Sequence, residues 1–323
     1  FTRVVRADPE RAGLLYAGTE RGMFVSFDDG ASWKPFQMNL PIVPITDLTI
    51  KNNNLIAATQ GRAFWMIDDL TILHQLSDEV ANSAVHLFKP MDAYRLMGSG
   101  NSRRGGGGAA ALLYGKNTPA GPVIYYNMKD APEKGTKVVI EIHDADGNMI
   151  DSFTQRGVEA GLNSFNWNMR TESAEGFEGL IMWAASVRGP GPMLPTGEYT
   201  AKLKVGDDAY ETTFNLIKDP RYPSTDADIK AQYEFLVKVR DKVTETHRAI
   251  KDIRATREQM NGLMDQIKGE ERYEEVVEAG KAFMEKMTTV EEALYQTKNE
   301  SGQDPLNFPI RLNNKLAALL GVA

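Results

Sequence analysis

The chain has 323 residues, enough for two or three domains, and its 42% hydrophobic and 25% charged residues are typical of a globular protein. The formal net charge of −7 argues against a nucleic-acid binder, which would usually carry a basic face. The absence of cysteine excludes disulfides and thiolate metal sites, and no apolar run is long enough to predict a transmembrane segment.

Residues 1–76 are predicted to be rich in strands. Short alternating runs are separated by turn sequences: FTRVVRAD, LLYAGTE, GMFVSFD, ITDLTIK, NLIAATQ and AFWMIDD. The first run already starts at Phe1 and carries no signal-peptide pattern, so we expect a processed, cleaved or incomplete N-terminus.

The strand runs repeat along the chain. Residues 16–29 align with residues 56–69 at an offset of 40, so that Ala17 meets Ala57 and Phe24 meets Phe64. Such a period, with several strands per unit, is typical of β-propeller blades, of which a closed propeller takes roughly four to eight. We therefore expect the remaining blades upstream or on another chain.

The stretch SFDDGASW predicts a β-hairpin turn held by its own side chains. Asp28 can accept backbone N–H groups of the turn, Gly30 permits positive φ, and Trp33 is expected to anchor the turn with a large buried area. Together with Ser26 and Ser32, these residues resemble the Asp-box, or BNR repeat, of sialidases and sortilin-type propellers. That resemblance implies a structural role away from any active site.

The segment GRAFWMIDD resembles the end of the propeller in a large bacterial family of sortilin-like, BNR-repeat proteins, often labelled glycosyl hydrolases by similarity. The residues that carry the likeness are Gly61, Arg62, Phe64, Trp65, Asp68 and Asp69. The C-terminal stretch LNFPIRLNNKLAALLG resembles the same family. The likeness implies a bacterial, extracytoplasmic protein (secreted, periplasmic or cell-surface) whose partners include its own upstream blades.

A linker is predicted over 77–117, with a glycine-rich loop at 101–111 that does not match a phosphate-binding loop. Arg103 and Arg104 could meet an anion there, although a solvated loop explains them as well. Strand runs return over 118–218, and PTGEYTAKLKV and NSFNWNMR resemble strands of Ig-like modules. We predict an Ig-like antiparallel β-sandwich for this span.

Residues 219–323 are predicted to form a long helical hairpin and a short C-terminal helix. In the first helix, Leu236, Val243 and Ile250 lie seven apart, with an N-terminal cap at Ser224 or Thr225. In the second, the expected buried stripe contains Val276, Phe283, Met287, Val290 and Leu294. The predicted fold is thus multidomain, mainly β and then α.

Candidate chemistry in this sequence is sparse. Asp68 and Asp69 are adjacent on a predicted strand and would point to opposite faces, so they do not form a catalytic pair. Arg62 is a candidate ligand-binding residue, against a structural hydrogen-bonding role, and Asp47 or Arg62 could face a propeller channel. No catalytic residue, metal or cofactor is predicted. The stretch DADGN, with Asp144, Asp146 and Asn148, is interpreted as a plain hairpin turn. The four histidines, His74, His86, His143 and His247, do not have the close spacing of a pair of metal ligands.

Three functions remain open. The first is a ligand-binding or scaffold module of an exported propeller protein. The second is an exo-acting, sialidase-like glycoside hydrolase whose catalytic residues lie on upstream blades, and the third is capture of a peptide in the propeller channel. A hydrolase predicts convergent carboxylates, or a tyrosine with several arginines, whereas a scaffold predicts an exposed apolar stripe on the helices or the sandwich.

Overall fold

The computed structural model describes residues 1–96 and 118–321, which form two compact units. The first unit comprises Phe1–Asn168 with Gly197–Asp219, and the second comprises Met169–Thr196 with Pro220–Ala323. All named strands belong to the first unit and the long helices belong to the second, which confirms the predicted order of mainly β and then α. The predicted glycine-rich loop, with Arg103 and Arg104, lies outside the described residues.

The chain begins with two antiparallel meanders. The first contains β1 (Thr2–Ala7), β2 (Leu15–Thr19), β3 (Gly22–Ser26) and β4 (Lys34–Pro35), and the second contains β5 (Ile45–Lys51), β6 (Asn54–Thr59) and β7 (Phe64–Ile67). In both sheets the spatial order follows the chain order. Ala17 on β2 and Ala57 on β6 are both buried, so the residues that the repeat aligns occupy equivalent positions.

A single hydrophobic core lies between the two meanders. Its members are the inward-facing side chains of both sheets, among them Leu14, Tyr16, Val25, Ile45, Leu48, Leu55 and Leu70. Close approach depends on Gly18, because a Cβ there would lie 2.7 Å from Ile45 Cγ2 and 2.8 Å from Val4 Cγ1. The alternation of apolar residues in each run is what brings these side chains to one face.

The segment after β7 is more regular than its sequence suggests. It carries α1 (Thr71–Gln75), α2 (Asp78–Asn82), β8 (Val85–Leu87) and β9 (Ala93–Arg95), and the last three of these lie inside the predicted linker. β8 pairs with β10, and β9 pairs in parallel with β15. Three-residue strands show no readable periodicity, so their neighbours in space determine their conformation.

Two further sheets complete the first unit. Their strands are β10 (Val123–Met128), β11 (Val138–His143), β12 (Met149–Thr154), β13 (Gly161–Asn166), β14 (Gly197–Val205) and β15 (Asp208–Lys218). The sheet orders are β13-β10-β8 and β12-β11-β14-β15-β9. Trp167, just after β13, is fully buried and packs edge-on against Tyr199 and Phe214 of the five-stranded sheet.

The second unit is built on α3 (Asp226–Ile267), α4 (Glu274–Leu294) and α5 (Leu312–Leu319). Thr225 and Asp228 form a capping box at the start of α3, and the predicted seam residues of that helix are buried. The segment 169–196 belongs to this unit although it lies within the predicted sandwich span, and it contains no named strand or helix. None of the described helices is both long and apolar enough to cross a membrane.

Candidate functional site

The turn at residues 26–33, which we call the Asp-box turn for its resemblance to that motif, is held together by its own side chains. Ser26 Oγ donates to Asp28 Oδ1 at 2.7 Å and accepts from the Gly30 backbone N–H at 2.9 Å. Asp28 also accepts from the Ser32 hydroxyl at 2.5 Å and from the Ser32 N–H at 2.8 Å. These bonds, led by the Ser32 hydroxyl, lower the pKa of Asp28 to about 2. Gly30 has a φ of 87°, as the turn requires.

Trp33 does not have the large buried area that we expected. Its side chain is 37% exposed and lies over its own turn, so that a Cβ on Gly30 would be 3.7 Å from Trp33 Cζ2. The turn is attached to the rest of the unit through backbone, because Asp29 N–H donates to the Gly13 carbonyl at 2.9 Å. The hydrogen bonds of the Asp-box therefore stabilise the turn without a deeply buried tryptophan.

The residues at β7 lie at a sheet edge. Among the described strands none pairs with the outer side of β7, and Phe64 on this strand is 77% exposed. Arg62 is exposed, and its carbonyl accepts from Trp65 Nε1 at 2.9 Å. Asp69 is engaged locally, because its carboxylate accepts from the N–H and the hydroxyl of Thr71 at the start of α1. A ligand-binding role for Arg62 stays a prediction.

Asp47, the other candidate channel residue, lies on β5. Its carboxylate pairs with Arg6 on β1 at 2.7 Å, and Arg6 Nε also donates to the Leu48 carbonyl. Both partners are about half exposed. The structure therefore does not bring Asp47 together with Asp69 or Arg62 in a common cluster of contacts among the described residues.

A buried polar network that the sequence did not reveal surrounds Asp8. The carboxylate accepts from Tyr16 Oη at 2.9 Å, contacts His74 Nε2 at 3.0 Å, and accepts the backbone N–H groups of Glu10 and Arg11. Burial raises the pKa of Asp8, but these hydrogen bonds outweigh burial and the pKa is lowered. Tyr16 is fully buried, so the network stabilises the turn after β1 and does not present a nucleophile to solvent.

A second network joins the segment 169–196 to α3. His247 is fully buried, and its Nδ1 lies 2.6 Å from the Glu175 carbonyl while Asn313 Nδ2 lies 3.3 Å from its Nε2. This geometry assigns the proton of the neutral ring to Nδ1. The carboxylate of Glu175 pairs with Arg248 at 2.6 Å and with Lys251. Both pairs are partly exposed, so they orient the segment more than they stabilise it.

The same unit contains a buried carboxylate between two arginines. Glu291 on α4 accepts a hydrogen bond from Arg254 Nε at 2.7 Å and forms an ion pair with Arg257 Nη1 at 2.8 Å, and its side chain is 3% exposed. The Arg254 guanidinium also lies 4.9 Å from the Phe177 ring and 5.3 Å from the Tyr295 ring, within the range of cation–π attraction. These contacts hold α3, α4 and the segment around Phe177 in one arrangement.

The face that α4 buries agrees only in part with the predicted stripe, because Met287 is buried as expected but three other members are not. Gly280, Met287 and Glu291 are buried, whereas Val276, Phe283 and Val290 are 51%, 47% and 51% exposed. The helix is rotated because Gly280 admits Met264 so closely that a Cβ there would lie 2.9 Å from Met264 Sδ. We call the exposed residues Val276, Phe283 and Val290 the α4 stripe.

The α4 stripe is a regular row of exposed apolar side chains on a helix. Its members lie seven residues apart, which places them within a narrow angle on one side of an α-helix. Contiguous exposed apolar surface of this kind marks interaction sites more often than catalytic ones. A row of side chains on a rigid, capped hairpin is suited to binding another helix.

The remaining sequence candidates for chemistry are explained by local structure. Asp144 accepts the N–H groups of Asp146 and Asn148 in the turn between β11 and β12, as a plain hairpin turn requires. Within residues 1–96 and 118–321, no group of three or more histidine, aspartate or glutamate side chains is arranged to hold a metal ion.

The chain matches no protein-family model and no curated protein sequence.

Proposed function

We propose that this chain is an interaction or scaffold module, the C-terminal portion of an exported bacterial protein of the sortilin-like, BNR-repeat type. The observation that carries the proposal is the exposed α4 stripe. A scaffold is expected to expose such an apolar stripe, whereas a hydrolase is expected to show convergent catalytic side chains. The buried Glu291 on α4 pairs with Arg254 and Arg257 on α3, and these contacts fix the helix that carries the stripe.

The propeller part of the proposal is supported by the two repeated meanders and by the Asp-box between β3 and β4 of the first one. In the first meander, Phe24 of β3 is paired with Pro35 of β4, whereas the aligned Phe64 of β7 pairs only with β6 and has no strand on its outer side among the described residues. An apolar groove of about 370 Å³ lies next to β7, lined in part by Met23, Phe36 and Trp65. An open edge and an apolar groove suit the docking of further blades, which are the proposed partners of this part.

The two sheets around Trp167 suit an Ig-like sandwich that serves as a spacer. The alternative function, an exo-acting glycoside hydrolase, would need catalytic residues on upstream blades, and no contact among the described residues favours it. Extracytoplasmic localisation belongs to the proposal through the family likeness alone.

The test places a photo-crosslinking amino acid at position 283 of the full-length protein in the cells that make it. A matched control places the same group at position 235, because Phe235 on α3 is 49% exposed but lies outside the α4 stripe. We expect protein adducts at 283 and few at 235. Equal labelling at both positions, or none at 283, would refute the interaction role of the stripe.

A further inference from the structure

We infer that the α4 stripe binds a second copy of this chain, with α4 against α4 in antiparallel orientation, so that two hairpins form a four-helix bundle. This inference rests on the proposed function and names the partner of its surface. Each copy contributes a two-helix layer, and the dimer supplies the second layer that each apolar stripe lacks.

The stripe is continuous with an interface that already exists. On a helix with about 100° per residue, Phe283 lies about 40° from the buried Met287 and about 60° from the buried Gly280. A helix placed on the stripe would therefore contact the edge of the α3–α4 seam as well. The stripe and the seam together resemble two adjoining faces of one bundle helix.

The sequence of α4 is self-complementary in the antiparallel direction. Ala279, Lys286 and Ala293 are exposed and lie beside the stripe, three residues after Val276, Phe283 and Val290. An antiparallel pair of α4 helices can be centred between Phe283 and Lys286. In this register Val276 lies opposite Ala293, and Val290 lies opposite Ala279, so each large side chain faces a small one. Phe283 then meets the alkyl stem and ammonium of Lys286, an attractive aromatic–cation contact.

Charge favours the antiparallel over the parallel arrangement. Five glutamates, Glu270, Glu271, Glu274, Glu275 and Glu278, cluster near the turn between α3 and α4. A parallel pair would superimpose the two clusters and add repulsion. The antiparallel pair moves the two clusters to opposite ends of the interface.

The partner helix is α4 rather than α3. On the same side of the hairpin, and near the level of Phe283, α3 offers Leu263, which is 49% exposed. Its neighbours on that side are polar: Thr256, Gln259 and Gln266. Only α4 therefore presents an apolar residue at every second helical turn, and the arrangement with α4 on α4 buries the most apolar surface.

The available area reaches the size of a specific interface. A helix of 21 residues is about 30 Å long, and two packed helices form a layer about 20 Å wide, so each copy can bury about 600 Å². The total of about 1,200 Å² lies at the lower end of stable protein interfaces. We therefore expect a concentration-dependent dimer rather than an obligate one.

The first test is sedimentation equilibrium of the full chain over a range of concentrations. We expect a monomer–dimer equilibrium that Phe283→Asp weakens by at least about 30-fold, as for a central interface residue. The matched variant Phe235→Asp, at an equally exposed phenylalanine, should leave the dimer unchanged. A wild-type chain that stays monomeric, or a dimer that Phe283→Asp does not weaken, overturns the inference.

The second test does not depend on a charged substitution and reports orientation. Because the chain has no cysteine, Ala279→Cys and Val290→Cys chains can be mixed without background disulfides. The antiparallel register predicts a disulfide between one chain of each kind and little between identical chains. Crosslinking of Ala279→Cys to itself indicates a parallel pair and overturns the register.

The two proposals fail in different ways. If the photo-crosslink at position 283 joins this chain to a different protein and the purified chain is a monomer, the interaction role stands and the second copy is the wrong partner. If no crosslink forms at position 283 and the purified chain is a monomer, both proposals fail.

Discussion

Glu291 provides the sharpest test of how the second unit is held together. Its carboxylate is almost fully buried on α4, where it accepts a hydrogen bond from Arg254 of α3 and forms an ion pair with Arg257 of the same helix. The change Glu291→Gln keeps the volume of the side chain but removes the charge. An amide oxygen can satisfy one arginine, while the amide N–H₂ group is turned toward the donors of the other.

The expected loss in the free energy of unfolding follows from the contacts that Glu291 makes and from the exposure of the two arginines. A hydrogen bond to a charged group contributes about 1.5–3 kcal/mol, and the glutamine retains about one neutral bond. The Arg254 and Arg257 side chains are 39% and 28% exposed, so water recovers part of their hydration and reduces the loss. We expect the free energy of unfolding to fall by about 2–3 kcal/mol, or roughly 6–9 °C in Tm for a unit of this size.

The measurement is thermal unfolding followed by far-ultraviolet circular dichroism, since α3, α4 and α5 all lie in the second unit. The control is Glu292→Gln, one residue further along the same helix, where the side chain is exposed and the effect should stay within about 0.5 kcal/mol. Equal effects of the two changes would show that the buried ion cluster does not stabilise the hairpin, and would refute this reasoning.

Two further predictions concern pH and backbone conformation. Burial lowers the pKa of His247 despite the nearby Glu175 carbonyl, so the unfolded chain binds more protons than the folded chain and the free energy of unfolding should fall as the pH drops below about 6.5. This pH dependence should appear in the urea midpoints of the wild-type chain. His247→Gln should lose it, whereas the control variant His143→Gln should keep it. Gly22→Ala should cost about 2 kcal/mol or more, since φ is 140° and the new Cβ would lie 1.8 Å from Gln37 Oε1. Gly61 also has a positive φ, 87°, but the space around it is open. If Gly61→Ala lowers the free energy of unfolding in chemical denaturation as much as Gly22→Ala does, the steric argument is contradicted.

Features that depend on near neighbours in the chain can be predicted from the amino-acid sequence. The strands of both meanders follow from alternating residues, and the Asp-box lies within eight consecutive positions, so its hydrogen bonds form between residues that are already close. The first half of α3 follows from its seven-residue spacing, because Leu236, Val243 and Ile250 point to one side of any α-helix.

Contacts between segments that are distant in the chain are visible only in the tertiary structure. Asp8 meets His74 across 66 positions, and Glu175 meets His247 across 72, and no periodicity encodes either contact. β8 and β9 are too short to show a pattern, and they are strands only because β10 and β15 lie beside them.

The same reason explains which face of α4 is exposed. Periodicity identifies a broad apolar side that contains both Phe283 and Met287, but it does not say which part a partner covers. A glycine at 280 and the pairing of Glu291 with two arginines turned the helix toward Met264. The α4 stripe is therefore a product of packing between two helices, which is why a surface that the sequence assigned to the core became the candidate site.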